Sequence, residues 1–398
     1  MTVSSPRSAT TSAPKSHARP FDNLVLVVPH KHGSTWLFRL FSDERMLSAM
    51  RMSRSRDAEP RNEPGPWTYR WPHGLALAPG ELAYTRILTP DQINRDDVLS
   101  QNCRAVYVHR DPRDTVISHY FSLRFSHGLM GGIERIRNRL RELSFSDGML
   151  HTIRLQVEMR RYETQRSWKL CADPRILNVR YEDLISDPLP TVSRVLAHFG
   201  CDMPKRSLND VLEDFSFEAT SGRKLGQVDL FAHNRSGLPG QWKQFLDRHA
   251  LEMLQKEAGN LLEQLGYERD DPETNPAPVN DVVIAWTPEL EQMLRRISKA
   301  LTLFPKERIL FYGAGLDLRA ICASTLLYGR NNVGGAIDDD AALHGTLLGG
   351  HCPVYPPSEI EALRPDVIVV SSTTHRDALF QKARHLARTL PCRAEVFY

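Results

Sequence analysis

"LVLVVPHKHGSTWLFRLF", residues 24–41, joins a short apolar run, a polar loop and a second apolar segment. The run Leu24–Val28 predicts a buried β-strand, and the spacing of Trp36–Phe41 predicts a helix start that Ser34 or Thr35 could cap. Between them lie a lysine, a glycine and two hydroxyl residues. The first N–H groups of a helix lack intrahelical partners, and the helix dipole favours negative charge there. The stretch therefore predicts an anion site between strand and helix.

A second stretch, "AVYVHRDPRDTVISHYF" at 105–121, repeats this arrangement with different side chains. Its apolar residues predict a strand that ends near Arg110, and Asp111 followed by Pro112 predicts the N-terminus of a helix. Ser118 lies eight residues after Arg110, inside that helix. A guanidinium group offers a fork of donors that matches phosphate oxygens. The alternative is an ordinary ion pair with a neighbouring aspartate, which does not explain why the pattern falls at a second strand–helix junction.

The overall composition excludes several classes of protein. The formal net charge is only +3, and basic residues among the first 20 account for it, which argues against a general nucleic-acid binder. The sequence has no run of 18 apolar residues and no apolar N-terminal segment, so we expect neither a membrane span nor a secretory signal. Its six cysteines form no CxxC pair and indicate free thiols in a reducing compartment. These features predict a cytoplasmic protein.

Changes in composition divide the chain into four segments. Residues 1–20 are rich in Ser, Thr and Pro and are predicted to be a disordered tail. Residues 21–268 contain both junctions and form the first predicted domain. Residues 269–282 are polar and rich in proline, which predicts a linker. Strands and helices alternate again over 283–398, which predicts a smaller unit with a parallel, doubly wound sheet. The predicted fold class is α/β.

The second unit contains a weak nucleotide-binding pattern. Gly313 and Gly315 follow a predicted strand, and Asp338 lies 23 residues after Gly315, near the spacing of a ribose-binding acid. Leu318 stands where a third glycine would be expected. The unit resembles the Rossmann-like modules appended to several bacterial enzymes, some of which bind nucleotides. Two interpretations remain open: a structural or assembly module, or a nucleotide site.

Several motifs in the first unit resemble those of one enzyme family. In chain order they read "HKHGSTW", "RDPRDTVIS", "RYEDL", "SFEATSGRK" and "NRSGLPGQWK". Together, from about residue 21 to 267, they resemble the sulfotransferases that use 3′-phosphoadenosine-5′-phosphosulfate (PAPS). The resemblance implies a parallel sheet like that of the P-loop nucleotide triphosphatases. It also implies transfer of a sulfuryl group, without a metal, to a hydroxyl of a small-molecule, glycan or lipid acceptor.

The resemblance also assigns roles to residues of this chain. Lys31 would bind the donor and, as a catalytic residue, stabilise charge on the leaving phosphate oxygen. Tyr181 would reach the adenine, and Phe217 would pack on it beside Trp36. Arg110 and the loop that begins at residue 235 would hold the 3′-phosphate. The implied donor-binding residues are Lys31, Gly33, Ser34, Thr35, Trp36, Arg110, Ser118, Tyr181, Phe217, Arg235, Ser236 and Gly237.

The chain departs from the family pattern at the position of the general base. The family's Lys-Thr-His motif supplies that histidine, whereas this chain has Arg86, which cannot be deprotonated near neutral pH. Arg86 could instead bind an anionic acceptor, and His73 is a second predicted acceptor-binding residue. His32 in the first loop is the predicted base, with His30 and His73 as alternatives. If the His32 side chain faces away, only its N–H contributes. Ser236 also replaces a usual lysine.

These observations predict a sulfotransferase and leave two alternatives. A catalytically impaired nucleotide-binding protein of the same fold would explain the missing histidine. A small-molecule kinase would need a lysine after the second glycine of a phosphate loop and an acid for magnesium, and neither is found. The sequence also leaves open whether the chain forms a homo-oligomer.

Overall fold

A computed structural model provides the structure of this protein. It describes residues 22–55, 77–86, 89–90, 103–128, 132–268, 288–323, 327, 332–349, 352–390 and 394–397. The predicted tail 1–20, the predicted linker 269–282 and His73 lie outside the described residues.

Five parallel strands form the sheet of the N-terminal part, in the order β2-β3-β1-β4-β5. They are β1 (Asn23–Val27), β2 (Ser53–Arg54), β3 (Glu81–Thr85), β4 (Cys103–His109) and β5 (Ile176–Arg180). The chain moves from β1 to β3 on one side and to β4 and β5 on the other. In sheets of this kind, ligands bind beyond the carboxyl ends of the strands, where the order reverses.

Helices and a π-helical turn at Ser122–Ser126 surround this sheet. The helices are α1 (Ser34–Phe41), α2 (Glu44–Met50), α3 (Pro112–Phe121), α4 (Ile133–Glu142), α5 (Phe145–Glu158), α6 (Arg161–Leu170), α7 (Tyr181–Ser186), α8 (Pro188–His198), α9 (Lys205–Asp214), α10 (Phe217–Ser221), α11 (Trp242–Phe245), α12 (Arg248–Ala258) and α13 (Leu261–Gln264). None of the helices in the described ranges is long and apolar enough to cross a membrane.

Apolar side chains cover both faces of β1, which explains its continuous apolar sequence. Leu24 and Leu26 pack in one buried cluster with residues of α1 and α8. Val25 and Val27 point to the other face and pack in a second cluster with Trp168 of α6. Burial of both faces therefore fixes the position of β1 in the core, and the loop after it lies at the carboxyl end of the sheet.

The structure confirms one predicted helix start and corrects the other. The Asp111 side chain caps α3 by accepting a hydrogen bond from the Arg113 backbone N–H at 2.8 Å. The predicted cap of α1 is wrong, because its N-cap residue is Gly33, in a left-handed conformation with no side-chain cap bond. The preceding turn closes through a hydrogen bond from the His32 N–H to the Pro29 carbonyl. The hydroxyls of Ser34 and Thr35 are thus not used as caps.

A second sheet lies in the C-terminal part, as the alternating pattern predicts. Its order is β11-β10-β6-β7-β9-β8, parallel except for the pair β8–β9. The order reverses at β6, while the Rossmann-like identity of the unit stays a prediction. The strands are β6 (Ile309–Tyr312), β7 (Val333–Ile337), β8 (Leu347–Leu348), β9 (Cys352–Tyr355), β10 (Val367–Val370) and β11 (Glu395–Phe397), and the helices are α14 (Pro288–Leu303), α15 (Leu316–Ala323), α16 (Ile360–Leu363) and α17 (Arg376–Thr389).

Helix α14 belongs by sequence to the C-terminal segment but contacts the N-terminal part. Its apolar residues share one buried cluster with residues of α3, α5 and α12. Ser298 donates a hydrogen bond to Asp229, 3.2 Å away, and the Arg295 guanidinium lies 4.2 Å from the Phe231 ring centre. Asp229 and Phe231 precede the predicted 3′-phosphate loop, so α14 supports the chain that leads into it.

Candidate active site

Three predicted site residues follow neighbouring parallel strands. Lys31 comes after β1, Arg86 after β3 and Arg110 after β4, and β1 is hydrogen-bonded to both other strands. Because the strands are parallel, their carboxyl ends lie side by side. The Arg110 guanidinium donates a hydrogen bond of 2.9 Å to the Lys31 carbonyl. The sheet thus brings cations that are distant in sequence to one edge.

A cavity of about 600 Å³ opens at this edge. Its volume lies in the range typical of small-molecule sites. All the donor-binding residues implied by the sequence line it, and Arg86 and His30 line it as well. The structure therefore collects these predicted residues around one space. Further lining residues that the sequence analysis did not assign include His127, Ser216, His233, Asn234 and Gln241.

The backbone of the first loop explains its glycine. Gly33 has a φ of +83°, in the left-handed region that a side chain disfavours. A Cβ atom there would also lie 2.8 Å from the Tyr181 ring. Lys31 has a φ of +70°, an uncommon conformation for a residue with a side chain. This conformation sets the lysine at the cavity wall, next to the first N–H groups of α1.

Positive charge is concentrated around the cavity. Burial, followed by the charges of Arg110 and Arg235, lowers the pKa of Lys31 from 10.5 to about 7. Lys31 remains partly exposed, but to the cavity, where surrounding protein limits its hydration. Burial and then Arg110 also lower the pKa of Arg235, to about 9. Crowded cations of this kind favour an anionic ligand, which would relieve their repulsion.

Arg110 is held by an aromatic ring rather than by a close acid. Its guanidinium carbon lies 4.3 Å from the Tyr181 ring centre, and the Tyr181 hydroxyl donates to the Gly237 carbonyl at 3.1 Å. Within the described residues, the buried Nε atom of Arg110 has no hydrogen-bond partner. A stacked guanidinium with an unused donor is suited to an anion.

The neighbouring aspartates are engaged elsewhere. Asp111 forms a 2.7 Å ion pair with Arg113. Asp114 lies 3.8 Å from Arg110, at the long end of an ion pair. The Asp114 carboxylate accepts hydrogen bonds from the backbone N–H groups of Gly240 and Trp242, at 2.6 and 3.0 Å. These contacts weaken the alternative that Arg110 serves only as an ion-pair partner.

The loop that contains Arg235 and Ser236 is organised by Gln241. The Ser236 hydroxyl donates a 2.8 Å hydrogen bond to the Gln241 side-chain oxygen, which also accepts from the Arg235 guanidinium. Arg235 stacks 4.5 Å from the Phe121 ring centre, and its Nη1 atom is buried without a partner among the described residues. Gln241 was missed by the sequence analysis, although it stands inside the motif "GQWK".

The predicted adenine-binding residues are each fixed by a contact of their own. The Trp36 indole N–H donates to the Phe215 carbonyl at 2.7 Å. Gly237 has a φ of +69°, and a Cβ atom there would lie 2.6 Å from the Phe217 ring. A glycine at 237 therefore leaves room for the Phe217 ring beside the loop. Both aromatic side chains line the cavity, as does Tyr181.

His32 does not reach the cavity. It is only 2% exposed, and its Nδ1–H donates a 2.9 Å hydrogen bond to the His30 carbonyl. Burial lowers its pKa to about 3. This placement favours the alternative in which the His32 side chain faces away. The other predicted base that the structure describes, His30, does line the cavity, and burial lowers its pKa well below 6.5.

Two further histidines enter the cavity from segments that gave no sequence signal. His127 follows the π-helical turn, and His233 lies in the irregular chain before Arg235. The His233 Nε2 atom is 3.0 Å from the Thr35 hydroxyl oxygen. Neither histidine belongs to a spacing pattern, so only the folded chain identifies them. The structure describes no group of three or more His, Cys, Asp or Glu residues that could hold a metal ion.

Known proteins resemble this chain over part of its length. A flavonol sulfotransferase-like protein of Flaveria bidentis is 25% identical over 174 residues, which are 40% of this chain and 55% of that protein. Cytosolic sulfotransferase 16 of Arabidopsis thaliana is 26% identical over 264 residues, 58% of this chain and 72% of the relative. The chain spans about half the length of the first curated relatives that it matches.

Solved structures and a family model also match this chain. A crystal structure of mouse sulfotransferase SULT7A1 complexed with PAP matches 62% of this chain and 85% of its own, with 15% identity and a TM-score of 0.42. Retinol dehydratase in complex with androsterone and inactive cofactor PAP matches with 13% identity and the same TM-score, over 63% of this chain and 83% of its own. The family model described as the sulfotransferase domain matches residues 21–266. The chain therefore belongs to the sulfotransferase domain family.

Proposed function

We propose that this protein transfers a sulfuryl group from PAPS to a hydroxyl group of a small-molecule, glycan or lipid acceptor. The observation that carries the proposal is the meeting of Lys31, Arg86, Arg110 and Arg235 in one cavity next to the N-terminus of α1. Cations from separate segments repel one another there, and a ligand with several negative charges offsets that repulsion. PAPS has anionic groups at two ends of its ribose, which suits cations spread along a cavity.

Positioning and charge neutralisation account for the proposed catalysis. In a sulfuryl transfer, the acceptor oxygen attacks sulfur while the bond from sulfur to the bridging phosphate oxygen breaks. Negative charge builds on that phosphate oxygen, and preorganised donors lower the barrier most where charge develops. Lys31 and the N–H groups of the first turn of α1 are the proposed donors.

The second anionic end of the donor is assigned to Arg110, Arg235 and Ser236. Arg110 Nε and Arg235 Nη1 have no partner in the described part of the chain, and Ser236 lies beside Arg235 through their shared contact with Gln241. Both arginines line the cavity, so a 3′-phosphate there would lie against their guanidinium groups and offset their charge. This assignment predicts a strong preference for nucleotides that carry that phosphate.

Calorimetry and a transfer assay test the proposal together. The protein should bind 3′-phosphoadenosine-5′-phosphate (PAP) much more tightly than adenosine 5′-monophosphate, and it should not prefer ATP with magnesium. Labelled sulfate from PAPS should then appear on members of a panel of phenols, alcohols, glycans and lipids. Preferential binding of ATP with magnesium would instead support a small-molecule kinase.

Two observations favour a second candidate, a nucleotide-binding protein that lacks transfer activity. Arg86 stands at the family's usual base position, and His32 is buried away from the cavity. Tight binding of PAP without transfer to any acceptor, including water, would support this candidate over an active transferase.

A further inference from the structure

An acceptor hydroxyl must lose its proton during sulfuryl transfer, and the cavity needs a group that can take it. Arg86 cannot be deprotonated near neutral pH, and His32 lies outside the cavity wall. Three histidines line the cavity within the described residues: His30, His127 and His233. Their hydrogen bonds and their charged surroundings distinguish which of them is suited to act as a base.

The hydrogen bond of His127 fixes its tautomer. Its Nδ1 atom lies 3.1 Å from the Gly128 carbonyl oxygen, and a carbonyl oxygen only accepts hydrogen bonds. Nδ1 must therefore carry the hydrogen in the neutral ring, and Nε2 then carries the lone pair. A backbone acceptor that holds one nitrogen and leaves the other basic is the arrangement that orients a general base.

The surrounding fold holds His127 in place. The π-helical turn Ser122–Ser126 ends at this residue, whose backbone N–H donates to the Ser122 carbonyl at 2.7 Å. The buried Arg137 side chain of α4 donates to the Leu123 carbonyl at 2.9 Å and to the His127 carbonyl at 2.5 Å. π-helical turns occur frequently at functional sites, where they redirect a side chain. His127 is half-buried, and these hydrogen bonds hold the turn that carries it, so its ring is preorganised in the cavity.

The other two histidines are less suitable. The Nε2 atom of His233 already faces the Thr35 hydroxyl, and His233 is an exposed residue. His30 lies among cations, and burial followed by Arg161 lowers its pKa well below 6.5. A base whose pKa falls far below the working pH accepts a proton poorly.

Several charged or titratable groups face His127. They are Lys31, Arg86 and Arg137, together with the rings of His30, His119 and His233. Burial lowers the pKa of His127, the hydrogen bond to the Gly128 carbonyl opposes that shift, and Lys31, Arg137 and Arg86 add to it. This shift favours the neutral ring, the state that a general base requires.

We propose that His127 is the general base of this site, an inference that rests on the proposed sulfotransferase function. The proton of the acceptor hydroxyl moves to Nε2 as the acceptor oxygen bonds to sulfur. The bond between sulfur and the bridging phosphate oxygen breaks, and its electron pair leaves on the nucleotide. His127 then releases its proton to water, so that PAPS and an alcohol give PAP, a sulfate ester and one proton.

Two substitutions and one control test the proposal. His127→Ala removes the ring, and His127→Asn keeps a donor near the Nδ1 position but supplies no basic nitrogen. PAP release from PAPS is measured with 2-naphthol as the acceptor and with water alone. Both variants should slow release by on the order of 10²-fold or more, while calorimetry shows PAP binding within about threefold of the unmodified chain. His233→Ala should slow release far less.

The pH dependence gives a second readout. The acidic limb of kcat/KM reports protonation of the base, so it should disappear in both His127 variants. Unchanged release by His127→Asn, or an acidic limb that survives, would overturn the assignment.

A third readout separates this inference from the proposed function. Nitrogen-15 spectra of selectively labelled histidine report the tautomer of His127 without any donor. We expect the Nδ1–H form, and an Nε2–H form would overturn the assignment even if no transfer were observed. If the unmodified chain neither binds PAP nor releases it from PAPS, the proposed function fails, and the base assignment is rejected with it. If the unmodified chain is active and His127→Asn is equally active, only the base assignment fails.

Discussion

Two glycine-containing loops of this chain each follow the strand at which the order of a sheet reverses. The side chains around the two loops carry opposite charges. The loop after β1 contains Gly33 and lies among Lys31, Arg110 and Arg235, at the wall of a large cavity. The loop after β6 contains Gly313 and Gly315 and lies among carboxylates. Both loops end at the N-terminus of a helix.

Acidic side chains of the protein already occupy the second loop. Asp338 accepts hydrogen bonds from the backbone N–H groups of Ala314 at 2.5 Å and Asp340 at 2.8 Å. Asp317, in the first turn of α15, accepts from the Thr373 N–H and hydroxyl at 2.7 and 2.8 Å. A phosphate at this loop would meet these negative charges.

A strand–glycine–helix pattern therefore supplies donors but does not decide the ligand. Side chains that arrive from other strands and loops set the local charge, and that charge selects for or against an external anion. For the second loop we therefore favour the structural interpretation over the nucleotide site.

Removing the first loop's lysine should have the largest effect. Because Lys31 is proposed to stabilise charge that develops on the leaving oxygen, Lys31→Ala should lower kcat by on the order of 10²–10³, with a smaller change in donor affinity. Lys382→Ala, which removes the lysine paired with Asp339 near the second loop, is the matched control and should leave kcat unchanged. Steady-state rates at saturating PAPS provide the measurement, and an unaltered kcat in Lys31→Ala would reject the mechanism.

Removing Arg110 should weaken recognition of the 3′-phosphate. The loss of a charge-assisted hydrogen bond of about 2–3 kcal/mol corresponds to roughly 30- to 150-fold weaker binding of PAP. Adenosine 5′-monophosphate, which lacks that phosphate, should bind nearly as before. Ser118→Ala, which removes only a neutral hydroxyl, should have a smaller effect in the same calorimetric titrations. Equal losses for both nucleotides would show that Arg110 does not contact the 3′-phosphate.

The lowered pKa of Lys31 predicts that PAP binding depends on pH. With its pKa near 7, the free lysine is mostly neutral at pH 8.5, whereas a bound anion favours the charged form. Affinity should therefore fall roughly tenfold from pH 7 to 8.5, and binding at pH 8 should take up a proton. Phosphate groups with a second pKa near 6 are already ionised there. Calorimetry in two buffers of different ionisation enthalpy measures the proton uptake. The uptake should vanish in Lys31→Met. If it persists in this variant, a group other than Lys31 takes up the proton.

Changing the acid of the second loop should have the smallest effect on nucleotide binding. Asp338→Asn weakens the hydrogen bonds from Ala314 and Asp340, so the free energy of unfolding should fall by about 1 kcal/mol. PAP affinity should stay within about twofold. Chemical denaturation and calorimetry provide the two measurements. A large loss of PAP affinity would instead place the nucleotide at the second loop and invalidate the comparison.

Much of this protein was determined by the sequence itself. The apolar run at Leu24–Val28 predicted β1, and Asp111 with Pro112 predicted the start of α3, because hydrophobic periodicity and helix caps act over a few residues. The motifs likewise identified side chains that line the cavity, since each motif keeps a short stretch of loop and helix together. The predicted cap of α1 failed because the turn Pro29–His32 places Gly33 at the N-cap position.

Only the tertiary structure decided which distant residues meet. The parallel pairing of β1 with β3 and β4 gathers the cations, and no local spacing encodes that pairing. The tertiary structure also buries His32, brings His127 to the cavity, and packs α14 against the chain that leads to the predicted 3′-phosphate loop. These outcomes depend on contacts between segments far apart in sequence. Burial and charge at a site are sums over such contacts, so local sequence identifies the groups and the fold sets their chemistry.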